Sequence, residues 1–219
     1  MNTLPLFLLP VSACPMELVP LHIFEPRYKA MIADCLSAQE TGGGGEFVIA
    51  LASASGMASI GAIMKLVKVM KRYDDGRLDI LTQGRRRCLI RETPSECLYR
   101  MAEVSPYEDE RGDWSEALAN EAFNLHRALL QLMTGTQPEA SMYAGVAHLS
   151  FLLAATIGLE HQAKQSLLEL RSENERLRRM IEHMTVLMTQ VEQVQLAARS
   201  IQGCWELQRM YGPAGGVHG

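Results

Sequence analysis

The sequence has few of the patterns that mark a metal site or a network of disulfides. Its five cysteines are odd in number and scattered, and no two form a Cys-x-x-Cys pair, which excludes a typical zinc site and a disulfide framework. The six histidines include no His-Glu-x-x-His motif, the usual signature of a helical metalloprotease site. We therefore expect no metal, no cofactor and reduced cytoplasmic thiols.

Long apolar runs and a secretory leader are also lacking. The longest apolar stretch without a charge, "LSFLLAATIGL" at residues 149–159, is well short of the ~20 residues that a membrane-spanning helix needs. It predicts a buried helix instead. The first residues, "MNTLPLFLLP", lack a basic segment and are interrupted by prolines, which argues against a secretory signal. The sequence thus predicts a cytoplasmic protein that does not bind a membrane.

Charge is unevenly distributed in this chain of 219 residues, whose net charge is −4. Residues 65–100 contain ten Lys or Arg against five Asp or Glu. This local excess indicates a solvated, basic face of a sheet. The alternative is a nucleic-acid-binding surface, which usually has a larger excess of positive charge.

The first part of the chain combines apolar side chains with prolines at positions 5, 10, 15, 20 and 26. A helix is excluded because each interior proline costs about 3 kcal/mol, and a long central strand is disfavoured because proline cannot donate to the ladder. Short extended pieces, bent between the prolines, remain, as at the corners of a small irregular barrel. We expect their apolar residues in the core: Leu4, Leu6, Leu8, Leu18, Leu21, Ile23 and Phe24.

Strand patterns dominate residues 47–104, after one predicted helix. Pro26 suits the first turn of that helix, which leads to a glycine-rich loop at residues 41–46. The loop lacks the Gly-Lys-Ser/Thr of a phosphate-binding loop. Five or six short strands follow, with a hairpin turn at Asp74-Asp75-Gly76, and they suffice for a closed or half-closed barrel. The apolar stripe of the helix is Tyr28, Met31, Ile32, Cys35 and Leu36.

Helical patterns follow a charged linker at residues 105–114. Ser115 is a candidate N-cap of the first helix, a second helix is predicted over 142–156, and a third leads into a long last helix. Because its e and g positions are largely uncharged, we expect this last helix to pack in its own bundle or in a broader oligomer, such as a homodimer. Its a/d repeat is Leu177, Met180, Met184, Leu187, Val191, Val194, Ala198, Ile201 and Trp205.

Several short motifs follow one another in the first half of the chain. They are "LPL" at residues 4–6, "PLHIFEPRY" at 20–28, a strand at Gly61, "DGR" at 75–77, and a Gly-x-x-Arg unit from Gly84 to Arg87. In this order they resemble the amino-terminal substrate-binding domain of the Lon protease family. The resemblance covers residues 4 to about 110 and extends more loosely over "KQSLLELRSENERLRRM".

The resemblance implies an α+β fold, with an amino-terminal β pseudo-barrel followed by a helical bundle. The pseudo-barrel, of the PUA-like, Lon N-domain type, is expected over residues 1–108, and the bundle with its long final helix over 109–219. The family usually has a glycine near position 16, where this chain has Met16, so we expect a different local turn. Since no Walker motif of the Lon ATPase is present, we expect a stand-alone recognition domain that is not an enzyme.

The family signature supplies the candidate binding residues. These are Pro20, His22, Phe24, Glu25, Arg27, Tyr28 and Arg87. Two interpretations are open for the polar members. They form a binding surface, or they serve the fold, in which case Glu25 and Arg27 pair and cap the Pro26 helix and His22 is satisfied by a neighbour. Arg87 has the same two possibilities, and its structural role would be pairing.

Two functions are consistent with these patterns. The first is a non-catalytic module that binds unfolded or partly unfolded polypeptide, or a specific protein, by apolar contact in a groove between barrel and bundle and by strand addition at an open barrel edge. Met180, Met184 and Met188 either fill the core or adapt to such partners. The alternative is a nucleic-acid-binding protein, although few aromatic residues accompany its cations for base stacking. Those cations are Lys65, Lys68, Lys71, Arg72, Arg85, Arg86 and Arg87.

Overall fold

The structure is a computed structural model that describes residues 2–54, 56–112 and 114–211, with the side chains of these segments described as far as residue 201. In these segments strands come first and helices follow, apart from one early helix. The strands are β1 (Asn2–Leu9), β2 (Leu18–Ile23), β3 (Glu46–Ser53), β4 (Gly56–Met57), β5 (Ile60–Arg72), β6 (Leu78–Thr93) and β7 (Arg100–Pro106). The helices are α1 (Pro26–Glu40), α2 (Glu116–Thr134), a 3₁₀ turn (Ala140–Tyr143), α3 (Leu149–Thr156), α4 (His161–Glu169) and α5 (Glu173–Tyr211).

Five strands form a closed ring in the order β1, β7, β6, β5 and β3. Most neighbours are antiparallel, and the parallel pairing of β1 with β3, from Leu6 opposite Val48 to Leu9 opposite Leu51, closes the ring. β4 extends β3, and β2 pairs along the first part of β6. The predicted barrel is therefore confirmed. Among the described residues β2 pairs with β6 alone, so its other edge is free.

The prolines lie where the first strands tolerate them. Pro5 is opposite Met101 of β7 and precedes the part of β1 that also pairs with β3. Pro26 is the first residue of α1, where its missing N–H would have had no partner within the helix. The prediction of short extended pieces followed by a helix at Pro26 is confirmed, but β1 and β2 each continue through a proline, Pro5 and Pro20, rather than lying between prolines.

The barrel core confirms some of the predicted core residues and corrects others. Leu6 and Phe7 are both buried, because β1 is covered on both of its faces. The predicted stripe of α1 is buried against Phe7 and Phe47. The expectation that Leu18 and Phe24 are core residues is wrong, since they are 55% and 57% exposed. Side chains alternate along a strand. In β2 the inward positions are Val19, Leu21 and Ile23, so Leu18 points outward.

β6 continues through Gly84, a residue that often interrupts a strand. A Cβ at position 84 would lie 2.0 Å from the carbonyl oxygen of Cys14. The glycine thus lets the segment before β2 lie against a strand that continues past it. The predicted hairpin joins β5 to β6, with the Tyr73 N–H donating to the Arg77 carbonyl at 3.0 Å.

The helical bundle follows the linker. Ser115 caps α2 as predicted, because its hydroxyl oxygen accepts from the Leu118 N–H at 3.3 Å. The single helix predicted over residues 142–156 is wrong, since a 3₁₀ turn and α3 are found there instead. Gly145, with φ of 71°, takes a left-handed conformation that a continuous helix does not contain.

The environment of α5 changes along its 39 residues. Leu177, Met180 and Met184 are buried in the bundle core, and α2 accompanies the helix as far as Gln195, whose side-chain amide donates to the Leu132 carbonyl at 2.8 Å. Beyond this point the apolar repeat is exposed, and Trp205, its last predicted member, lies outside the described side chains. In the described part of the chain, every helix is too short or too polar to cross a bilayer.

Candidate recognition surface

The candidate site is the outer surface of three adjacent strands, β2, β6 and β5. Residues directly opposite each other on neighbouring strands have side chains about 5 Å apart, so outward residues of the three strands form rows. The rows are Leu18, Gln83 and Lys65; then Pro20, Leu81 and Lys68; then His22, Asp79 and Lys71. Their inward neighbours, such as Thr82 and Ile80, are buried. We name this outer surface the β2–β6–β5 face.

Two β-bulges add apolar side chains to this face. The register between β5 and β6 shifts three times, and two of these shifts leave one β5 residue, Val67 or Met70, without a partner on β6. A bulge redirects side chains out of the regular alternation, and Val67 and Met70 are 50% and 57% exposed. With Leu18 and Phe24 they give the face four large exposed apolar side chains. Such clusters commonly mark interaction sites.

His22 is held in place at one end of the face. Its Nδ1 lies 2.6 Å from Oδ1 of Asp79, and the Tyr73 hydroxyl donates to the other carboxylate oxygen at 2.8 Å. The hydrogen bonds from His22 and Tyr73 hold the pKa of Asp79 below its usual value. The imidazole also stacks on Phe24, with 5.9 Å between ring centroids. His22 is therefore satisfied by a neighbour, as one interpretation predicts, and its side chain is still 44% exposed.

The start of α1 contains the next signature residues. Glu25 and Arg27 pair as predicted, with Nε of Arg27 donating to Oε2 of Glu25 at 2.9 Å. The Glu25 side chain makes no capping hydrogen bond, so that part of the prediction is wrong, and its backbone carbonyl accepts from the Lys29 N–H instead. Tyr28 is buried and donates its hydroxyl to the Leu8 carbonyl at 3.2 Å. Tyr28 thus supports the barrel, whereas Pro20, His22 and Phe24 are accessible.

A row of cations borders the apolar residues. Lys65, Lys68, Lys71 and Arg72 of β5 and Arg85 of β6 are exposed. Within the described residues none of these five makes an ion pair, although Lys71 lies 4.4 Å from the centre of the Tyr73 ring. Other barrel arginines do pair with carboxylates: Arg27, Arg77, Arg86, Arg91 and Arg100. The unpaired cations are therefore concentrated on the β2–β6–β5 face and its edge.

Arg87 does not contribute to the β2–β6–β5 face. It is buried at the junction of barrel and bundle, where it donates to the Leu168 carbonyl at 2.7 Å, pairs with Asp109 and lies over the rings of Tyr107 and Phe151. These contacts join the barrel to the bundle. They also remove Arg87 from the cations that could contact a nucleic acid.

One cluster in the described residues has the composition of a metal site. Ligand atoms of Asp109, His148 and Glu173 lie within 4.8 Å of one another. The buried guanidinium of Arg176 donates to Asp109 at 2.8 Å and to Glu173 at 2.6 Å. An arginine remains protonated in proteins, so a metal ion here would lie against a fixed positive charge. The cluster fits a structural ion-pair network rather than a metal centre.

A groove of about 430 Å³ lies between α4 and α5. Its lining includes Leu159, Ala163, Leu167, Met180 and Val186, and none of the signature residues. Met180 and Met184 are fully buried. The interpretation of these two methionines as core residues is therefore correct.

Val67, Met70 and Asp79 are not apparent as site residues from their types alone. One signal was available in the sequence "KLVKVMKR" (residues 65–72). Its lysines recur every third residue, whereas a regular strand exposes every second one. A spacing of three in a strand indicates an extra residue between each pair of lysines, which is what the two bulges supply.

The chain resembles known proteins in sequence and in fold. No curated protein sequence matches it. The N-terminal domain of the Lon protease of the Mycobacterium avium complex has a TM-score of 0.63 and 20% identity, covering 84% of this chain and 98% of that one. The Lon N-terminal domain protein of Xanthomonas campestris has a TM-score of 0.61 and 24% identity, covering 83% and 98%. Residues 3–186 match the substrate-binding domain of the ATP-dependent protease La (LON), and the chain therefore belongs to the LON substrate-binding domain family.

Proposed function

We propose that this protein is a non-catalytic recognition module that binds exposed apolar segments of polypeptide on the β2–β6–β5 face. The observation that carries the proposal is the exposure of four large apolar side chains, each at least half exposed, on β2 and β5 and directly after β2. They are Leu18, Phe24, Val67 and Met70. Side chains of this size are normally buried. Their grouping on one face supports a role in covering apolar groups of another chain.

The free edge of β2 supports the same location. The described residues pair β2 with β6 alone, so an extended segment could add beside it and reach the apolar side chains at the same time. In this mode main-chain hydrogen bonds supply affinity, and side-chain contacts supply selectivity. Pro20 in the middle of β2 has no N–H to donate, which limits the number of such bonds and favours weak, reversible binding.

The adaptability of the face fits a partner of varied sequence. Met70 is an unbranched side chain that can repack against different groups, and Leu18 and Val67 are exposed beside it. A surface of this kind binds many apolar segments moderately rather than one partner tightly.

Titration against a permanently unfolded polypeptide tests the proposal. The reagent is a reduced and alkylated protein chain with a fluorescent label, and the readout is its anisotropy. We expect the double variant Val67→Ser/Met70→Ser to bind at least about tenfold more weakly, because each side chain loses apolar burial in the complex. The matched control is Leu98→Ser, since Leu98 is 77% exposed in the loop between β6 and β7. No binding by the wild type at high micromolar concentration, or equal binding by the double variant, would contradict the proposal.

A further inference from the structure

We propose that the β2–β6–β5 face selects apolar segments that are flanked by aspartate or glutamate. This inference rests on the proposed function and adds a preference for the charge of the bound segment. The two features that carry it are the alternation of apolar and basic residues along β5 and the lack of ion pairs among those basic residues.

Lysine is concentrated on one strand of this protein. The sequence contains five lysines, and three of them, Lys65, Lys68 and Lys71, are outward residues of β5 in the described register. Each bulge places an exposed apolar residue directly before the next lysine, first Val67 and then Met70. A bound segment would therefore meet apolar and positively charged groups within the same short distance. The lysine stems are themselves apolar and extend the contact surface.

Three carboxylates near the face are engaged by groups other than its lysines. Asp79 accepts hydrogen bonds from His22 and Tyr73, and Glu46, which is opposite Lys65 on β3, accepts from Arg86 at 3.1 Å. At the hairpin, Asp75 pairs with Arg77. Lys65, Lys68, Arg72 and Arg85 have no carboxylate within ion-pair distance among the described residues. Aspartate or glutamate beside the apolar segment of a partner would supply the missing carboxylates.

The aromatic groups of the face favour a polypeptide over a nucleic acid. Single strands bind by stacking bases on open aromatic rings. Here Phe24 and His22 stack on each other, and the Tyr73 ring lies within 4.9 Å of both Lys71 and Arg77. Each of these rings thus has at least one face engaged within the protein, which leaves fewer open ring faces for base stacking than aliphatic side chains for apolar contact.

Three labelled peptides with one common apolar core test the inference, the core being flanked by glutamates, by glutamines or by lysines. We expect the glutamate-flanked peptide to bind about tenfold more tightly than the glutamine-flanked one at low salt, with a smaller difference at high salt, because exposed charges are screened. The double variant Lys65→Glu/Lys68→Glu should lose this preference and still bind the glutamine-flanked peptide. The control Arg178→Glu/Arg199→Glu reverses two exposed cations of α5 and should keep the preference.

The outcomes separate this inference from the proposed function. Equal binding of the glutamate-flanked and glutamine-flanked peptides by the wild type would overturn the charge preference and leave the apolar recognition in place. Binding of none of the peptides would overturn both. A mixed-sequence single-stranded oligonucleotide that displaces the glutamate-flanked peptide at low salt would show that the cations serve a nucleic acid, which also overturns the inference.

Discussion

Met16 and Gly84 are joined by a backbone hydrogen bond, in which the Met16 N–H donates to the Gly84 carbonyl at 2.8 Å. The Gly84 N–H in turn donates to the Glu17 carbonyl at 2.9 Å. This pair of bonds fixes the turn before β2 against β6 and thereby sets the position of the strand that carries Leu18, Pro20 and His22. Met16 has φ of 70°, and it is the non-glycine residue with a positive φ among those described.

The first prediction concerns this turn. A left-handed backbone is strained for a residue with a Cβ and easy for glycine. Relative to Met16→Ala, Met16→Gly should therefore raise the free energy of unfolding by about 0.5–1 kcal/mol, measured by urea titration. Met16 is only 37% exposed, so both variants lose apolar burial, and the comparison between them isolates the backbone strain. Met16→Ala keeps the Cβ and serves as the control. A Met16→Gly variant less stable than Met16→Ala would contradict the prediction.

The second prediction concerns the junction of barrel and bundle. Asp109 pairs with both Arg87 and Arg176. Burial acts to raise its pKa, but the hydrogen bond and charge of Arg176 and the charge of Arg87 outweigh it, so the pKa lies below its ordinary value. Asp109→Asn leaves two buried guanidinium groups without this charge and should lower the free energy of unfolding by about 2–4 kcal/mol.

The neighbouring residue provides the control for Asp109. Glu110 pairs with Arg171 at the surface, where its side chain is 69% exposed, so Glu110→Gln should change stability by less than about 1 kcal/mol. Similar urea midpoints for the two variants would show that the junction does not depend on the buried ion pairs.

The third prediction is a pH dependence that arises from His126. The ring is buried between the Tyr143 hydroxyl and the Thr156 hydroxyl, each at 2.7 Å, and burial lowers its pKa from 6.5 to about 4. Above pH 6.5 the ring is neutral in both folded and unfolded chains. Between pH 6.5 and 4 the unfolded chain binds a proton that the folded chain does not. The free energy of unfolding therefore decreases as the pH is lowered through this range, by on the order of 2 kcal/mol.

His126→Gln tests this assignment, because glutamine retains polar contacts without titrating in this range. Urea midpoints at neutral pH and at pH near 5 should differ less for the variant than for the wild type. An identical pH dependence in the two proteins would show that His126 is not its source.

The fourth prediction concerns the far part of α5. Val194 and Ile201 belong to the a/d repeat and are 69% and 59% exposed, at the end of the part of α5 that α2 accompanies and beyond it. An apolar helix surface of this kind is stable when another helix covers it, and we expect a second copy of the chain to do so. Sedimentation velocity should show a concentration-dependent dimer, which Val194→Glu/Ile201→Glu converts to monomer. Gln193→Glu adds a charge beside the stripe and should leave the dimer intact; a wild type that stays monomeric at every concentration contradicts the expectation.

Local sequence signals predict the parts of the fold that depend on neighbouring residues. Pro26 predicts the first residue of α1, Ser115 the cap of α2, and Asp74-Asp75-Gly76 the hairpin. Each of these outcomes is decided within a few residues of backbone.

Long-range pairing explains the parts that local signals do not predict. Gly84 interrupts a strand pattern in sequence, but its missing Cβ makes room for the Cys14 carbonyl, which comes from a distant segment. The outward position of Leu18 depends on which face of β2 packs on α1. The burial of Arg87 depends on the carbonyl of Leu168 in the bundle, so a motif in the barrel sequence contains no sign of it.

Backbone amide chemical shifts test directly whether polypeptide binds on the β2–β6–β5 face. The protein has a mass of 24.3 kDa, which suits isotope-labelled NMR spectra recorded with and without an unlabelled unfolded polypeptide. We predict that the largest changes fall in residues 16–24 and 65–72, on β2 and β5. Changes confined to residues 159–186, around the groove between α4 and α5, or no changes at saturating polypeptide, would contradict it.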